Sequence, residues 1–223
     1  TTDWTALEED ALRITRDLIR IDTSNFGDGT GPTERPAADY VVEQLKDVGL
    51  EPVLLESNPG RASVVVRIPG REAGRGLVVH GHLDVVPANA VDWSADPFGA
   101  EERDGMIWGR GAVDMKDMDA MMLANLRRLA REHILPPRDL VFCFFADEEA
   151  GSTFGAEWIV DHHPELFEGC TEAISEVGGY SITLPLADGS GTRRAYLVQT
   201  AEKGFAWLRL RAVGRWRPAR HRP

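Results

Sequence analysis

Leu77-Val78-Val79-His80-Gly81-His82-Leu83-Asp84 is the stretch on which the reading of this chain turns. Three apolar residues run into a glycine flanked by histidines, and a carboxylate follows. A short apolar run bounded by turn signals fits a strand buried in a sheet. His82 and Asp84 are two apart, so both fall on one side of an extended segment. The strand therefore delivers an imidazole and a carboxylate at its carboxyl end. Asp84 is placed to orient the His82 ring through its second nitrogen, the usual job of a group behind a metal-binding histidine. Taken alone, a His-x-Asp is weak, and a polar strand end is the commoner reading.

The same arrangement repeats outward from this strand. Residues Asp139 to Phe145 form a nearly continuous apolar run, as expected of a strand covered on both faces. It ends in Ala146-Asp147-Glu148-Glu149. Thr171 to Ser175 reads as another core strand and ends at Glu176. Two further strands are expected at Pro52 to Leu55 and Ala62 to Ile68. Helices are expected from about Leu7 to Ile21, where apolar residues recur at three- and four-residue steps, from Glu34 to Val48 and Lys116 to Glu132, each with an apolar inner side, and from Phe154 to His162. Loops fill Ile21 to Thr33 and Pro87 to Gly111. Strands alternating with helices specify an α/β layered domain. In such sheets ligands gather beyond the carboxyl ends of the strands. From Ala195 the pattern changes, and Tyr196 to Val198 and Phe205 to Val213 read as strands of a different element.

Composition narrows the function. The 223 residues suffice for one large α/β domain, or one domain plus a fragment. A net charge of -11 repels phosphate backbones and argues against a nucleic-acid partner. No run approaches the roughly 20 apolar residues that span a bilayer. Thr1-Thr2-Asp3-Trp4 lacks a basic region followed by an apolar stretch, so no signal peptide is expected there. The two cysteines, Cys143 and Cys170, lack metal-ligand spacing and suggest no disulfide framework. Cys143 reads as a core thiol, and a reducing cytoplasm is the expected location.

Metals that activate water need nitrogen and oxygen ligands and an open coordination position. A co-catalytic pair also needs a bridging carboxylate. Asp114, in Gly109-Arg110-Gly111-Ala112-Val113-Asp114-Met115-Lys116, directly precedes an expected helix, so it is also readable as an N-cap. The glycines there match neither phosphate-loop nor dinucleotide spacing. Glu148 and Glu149 are adjacent and point in different directions. One can bind metal while its neighbour serves as general base, although a solvated loop would also carry such a pair. Glu176 is uninformative by itself.

In combination these segments resemble the superfamily of metal-dependent exopeptidases and deacylases that includes glutamate carboxypeptidase, acetylornithine deacetylase, succinyl-diaminopimelate desuccinylase and aminoacylase. The resemblance spans roughly Leu7 to Val213. It rests on Gly81 to Pro87, Trp93 to Phe98 with Gly109 to Lys116, Asp147 to Ser152, and Ser175 to Gly179. It implies a three-layer α/β/α catalytic domain with a mixed sheet, here residues 1–203, followed by the first strand of an α+β lid or dimerisation domain at 204–214 and an irregular basic tail at 215–223. It implies hydrolysis of the amide bond of N-acyl amino acids or short peptides, using two divalent ions: zinc, or else cobalt or manganese. By the same resemblance His82, Asp114, Glu149 and Glu176 ligate metal, with Asp114 bridging. Glu148 is the general base, Asp84 stands behind His82, and the Asp114–Met115 peptide is cis. The parent enzyme would be a homodimer through its lid, with no nucleic-acid or membrane partner.

The chain also departs from that pattern. The family's last histidine ligand and its oxyanion-binding lid histidine have no counterpart here, and His221 does not fall in the lid motif. Six arginines crowd Arg209 to Arg222, a run that usually marks a solvated or disordered end. These departures suggest a truncated or frame-shifted product, and so an alternative: a fragment that binds metal without turnover.

Overall fold

The structure, a computed structural model, describes residues 4–176, 178–199 and 210–211. The chain divides into two units, one ending at Glu176 and the other beginning at Val177. The expected lid strand and basic tail lie outside the described residues, apart from Leu210 and Arg211.

In chain order the first unit contains α1 (Trp4–Arg20), α2 (Arg35–Lys46), β1 (Val53–Asn58), β2 (Arg61–Ile68), β3 (Glu72–His82), β4 (Glu101–Arg103), β5 (Met106–Trp108), α3 (Lys116–Arg131), β6 (Arg138–Phe145), α4 (Ala156–His162) and β7 (Cys170–Ile174). Five strands form one sheet in the order β1-β2-β6-β3-β7. The β1–β2 and β2–β6 pairs are antiparallel, while β3 runs parallel to both β6 and β7. The sheet is therefore mixed.

Alternation along β6 shows how the layers form. Phe142 and Phe144 join Val64, Val66, Leu18, Val41 and Leu123 in the larger core, under α1, α2 and α3. Val141, Cys143 and Phe145 face the other way and pack with Val65 and with Ile159 of α4. A strand covered on both faces can be apolar at every position, and the outcome is helices on both sides of one sheet. Cys143 is buried and Cys170 half-buried, and both are free thiols.

Two regions of the first unit differ from the expectation. β3 starts at Glu72 because Glu72 pairs with Arg138 beyond an irregularity at residues 72–77, a polar, glycine-rich stretch with no strand pattern. The expected loop from Pro87 to Gly111 contains the β4–β5 hairpin, closed by Asp104 and Gly105 at φ 55° and 73°. Positive φ at both central residues is the type I′ geometry, and Asp-Gly is one of its strongest signals.

The second unit is a hairpin of β8 (Gly178–Pro185) and β9 (Thr192–Val198). No strand is expected at 178–185, yet Tyr180, Ile182 and Leu184 alternate with polar neighbours there. Among the described residues, no helix is long and apolar enough to cross a membrane.

Candidate metal centre

The backbone beyond β3 is clasped from both sides. Leu83 N donates to Phe145 O at 2.8 Å, and Val85 N donates to Thr23 O at 3.2 Å. The Thr23 hydroxyl donates to Leu83 O at 2.7 Å. This fixes where His82 and Asp84 emerge. His82 is 2% exposed and Asp84 fully buried.

Three of the expected ligands converge. His82 Nε2 lies 3.2 Å from Asp114 Oδ1 and 3.0 Å from Glu176 Oε2. One ligand atom from each of His82, Asp114 and Glu176 fits within 4.8 Å of the others. Glu148 Oε2 is next, 3.8 Å from His82 Nε2. Glu149 is engaged elsewhere: its Oε1 accepts a hydrogen bond from Val86 N at 3.2 Å. Among the described residues Glu149 is not part of the three-residue cluster.

Asp114 does not cap α3. Met115 holds the cap position with no side-chain hydrogen bond, leaving the Asp114 carboxylate 64% exposed and turned to His82. The Asp114–Met115 peptide is cis. Asp84 meets His82 with both its backbone and its side chain. His82 Nδ1 donates to Asp84 O at 2.9 Å, while the carboxylate stands 3.5 Å away. The Asp84 carboxylate also accepts from Glu148 N and Glu149 N, both at 3.0 Å, and from Asn25 Nδ2 at 2.9 Å. It organises the turn that carries the two glutamates.

A proton on Nδ1 leaves Nε2 to face the carboxylates. Burial works against the imidazolium, but the contacts to Asp84 and Glu176 outweigh it and push His82 up to about 12. Burial and then the neighbouring Asp114 push Glu149 up to about 7. Burial also raises Glu148, while the contact with His82 lowers Glu176. One imidazole thus faces four carboxyl groups that crowd one another, a hard nitrogen–oxygen donor set suited to a divalent cation.

The sequence reading missed several supports. Lys116 is fully buried, and its Nζ donates to Leu18 O at 3.0 Å and Ile21 O at 2.7 Å, tying the Asp114 loop to the end of α1. Burial lowers this amine to about 8. Asp119 is fully buried, and neither oxygen has a partner among the described residues. Burial pushes its carboxyl well above the usual range. A Cβ at Gly81 would come within 2.6 Å of Asp119 Oδ1, so only glycine fits between the two histidines. The visible signal was acidic and basic residues on the inner side of α3, which an apolar stripe does not require.

A cavity of about 140 Å³ opens beside the centre, lined by His80, His82, Phe145, Glu148, Ser152 and Glu176 among others. A larger cleft of about 750 Å³ lies between α1, α2 and α3. It carries ion-paired residues such as Asp10, Arg127 and Asp47 rather than a metal-type donor set.

Residues 78–203 match the peptidase family M20/M25/M40. Aminoacylase-1 of Sus scrofa is 31% identical over 210 residues, covering 93% of this chain and 48% of the relative. The dipeptidase Dug1p of Saccharomyces cerevisiae superposes with a TM-score of 0.66 at 21% identity, over 80% of this chain and 42% of that one. The YXEP protein of Bacillus subtilis, described as a dinuclear metal-binding peptidase, superposes with a TM-score of 0.52 at 16% identity, over 77% and 43%. The chain spans about half the length of the curated relatives it matches.

Proposed function

Because the chain belongs to peptidase family M20/M25/M40, we propose that it is the catalytic portion of a metal-dependent hydrolase cleaving the amide bond of N-acyl amino acids or short peptides. The observation that carries this reading is the convergence of His82, Asp114 and Glu176, with Glu148 3.8 Å from the imidazole. His82, Asp114, Glu149 and Glu176 would hold two divalent ions, zinc first and cobalt or manganese as alternatives, with Asp114 shared. The engagement of Glu149 with Val86 N makes its role the least supported by geometry. When bound, such ions polarise a scissile carbonyl and acidify water.

The protein's own residues then have distinct tasks. Glu148 takes the proton of the attacking water and passes one to the leaving amine. Burial raises its carboxyl, which brings it closer to the range where a general base works best. Asp84 fixes the direction of Glu148 through the main chain. His82 keeps Nε2 aimed at the carboxylates because Nδ1 is committed to Asp84 O.

The test is metal content after purification without added metal, measured beside hydrolysis of a panel of N-acyl amino acids and dipeptides. The expected result is bound zinc, with turnover that a chelator removes and zinc restores. A chain without metal at any stoichiometry would overturn the reading. A second reading, metal binding without turnover, is favoured by one observation: the donor cluster among the described residues contains a single imidazole. Stoichiometric zinc with no hydrolysis of any substrate selects that second reading.

A further inference from the structure

We propose that Asn25 is a positioning residue for this centre, its side-chain amide holding the turn after β3 and the turn after β6 in register. The proposal rests on the metal-centre reading above. Asn25 is 4% exposed. Its Nδ2 donates to Asp84 Oδ2 at 2.9 Å and to Asp147 Oδ1 at 3.0 Å. Its Oδ1 accepts from Arg61 Nη2 at 3.1 Å and from Gly27 N at 3.0 Å. The amide is used to capacity, and its orientation is fixed: both partners of the nitrogen are carboxylates and both partners of the oxygen are donors.

The two aspartates it joins stand directly behind the proposed chemistry. Asp84 is two residues from His82 and accepts from the Glu148 and Glu149 amides. Asp147 immediately precedes Glu148, sits at φ 64°, and accepts from Phe154 N at 2.9 Å. Asn25 itself is pinned by its own N–H to Val85 O at 2.9 Å. Arg61, which holds the amide oxygen, is anchored in turn by the fully buried Glu34 at 2.5 Å. Asparagine suits the position because aspartate would crowd a third carboxylate against two others, while an apolar residue would leave both aspartates short of a donor.

The test uses the 223-residue chain and two readouts. Cobalt(II) titration, followed by visible absorption, reports the donor set. Amide hydrogen exchange of Glu148 and Glu149 in the metal-free chain reports the turn itself. Asn25→Ala and Asn25→Asp are expected to weaken cobalt binding about 10–100-fold and to speed exchange at those two amides. Leu45→Ala, in the core of α2, lowers overall stability and is expected to leave cobalt affinity within about twofold of the parent, since distant sites act independently. Cobalt binding unchanged in both Asn25 variants would overturn the proposal, as would equal weakening by Leu45→Ala. Loss of the fold in both variants would make Asn25 merely structural and overturn it too. A parent chain that binds no cobalt brings down the metal-centre reading, and this inference with it.

Discussion

Two layers of carboxylates lie at the carboxyl end of the sheet, and they are satisfied in opposite ways. In the lower layer Asp84, Asp147 and Glu34 are buried and engage main-chain amides, Asn25 and Arg61. In the upper layer Asp114, Glu148 and Glu176 are more exposed and share one imidazole. Burying a carboxylate is costly unless donors meet it. In the lower layer the fold supplies donors to Asp84, to Asp147 and to Glu34 Oε1, while Glu34 Oε2 is left without one among the described residues. The upper layer gathers negative charge faster than the fold supplies donors, which is the state of a site that expects a cation. Position at a strand end is common to both layers; the source of the counter-charge separates them.

The largest expected effect is in the upper layer. Glu148→Gln should reduce turnover about 10²–10⁴-fold, the usual contribution of a general base, while leaving cobalt binding and thermal stability near the parent. A Glu148→Gln chain that turns over normally breaks the assignment of the base. Next comes the contrast between Asp84→Asn and Asp114→Asn. Asp84→Asn places an amide nitrogen against a main-chain N–H in a buried site, at a cost of about 2–3 kcal/mol in chemical denaturation. Asp114→Asn changes an exposed side chain and should cost the fold less than about 0.5 kcal/mol, yet weaken metal binding. Equal stability losses would erase the distinction between the layers.

The upper layer was legible in the sequence as positions, while in the lower layer Glu34 and the donors Asn25 and Arg61 were not. His82, Glu148 and Glu176 follow apolar strands and Asp114 precedes a helix, so position marks the first three as strand-end groups. Asn25, Glu34, Arg61 and Asp147 come from four separate segments and meet only in three dimensions. Nothing local distinguishes Arg61, at the start of β2, from any surface arginine. Asp84 was seen, and its carbonyl and carboxylate both face the second ring nitrogen of His82, at 2.9 and 3.5 Å. What spacing could not show is that the same carboxylate also accepts from the Glu148 and Glu149 amides, which lie 64 and 65 residues further along the chain. The α/β order and both faces of β6 followed from apolar patterning, because burial on two faces leaves no polar position to misread.

A pH titration of the metal-free chain tests both layers together. Glu34 and Glu149 are each pushed up from 4.5 to about 7, in both cases chiefly by burial. The folded chain therefore holds these protons more tightly than the unfolded chain does. That stabilisation is complete below about pH 4.5 and is lost as pH rises through 7. Asp84 and Glu176, lowered in the fold, contribute the opposite trend only at more acidic pH. Stability should thus fall between about pH 4.5 and 7 by on the order of 1 kcal/mol per group after solvent screening. Glu149→Gln should remove its share of that slope and leave the shares of Glu34 and of the other raised carboxyls, Asp119 and Glu148. A slope of the opposite sign would mean that the buried carboxylates are charged throughout.

The smallest effect separates the centre from the hairpin beside it. Gly105 turns β4 into β5 at φ 73°, next to Asp104 at φ 55°, and a Cβ on Gly105 would meet nothing within 4 Å. The cost of Gly105→Ala is therefore conformational rather than steric against neighbours, about 1 kcal/mol for placing alanine in the left-handed region. The hairpin contains none of the convergent groups, so cobalt affinity should remain that of the parent while the melting temperature drops by a few degrees. If Gly105→Ala weakens cobalt binding, the Pro87 to Gly111 segment is mechanically coupled to Asp114, three residues beyond its end, and the support of the centre extends past the buried layer to this hairpin.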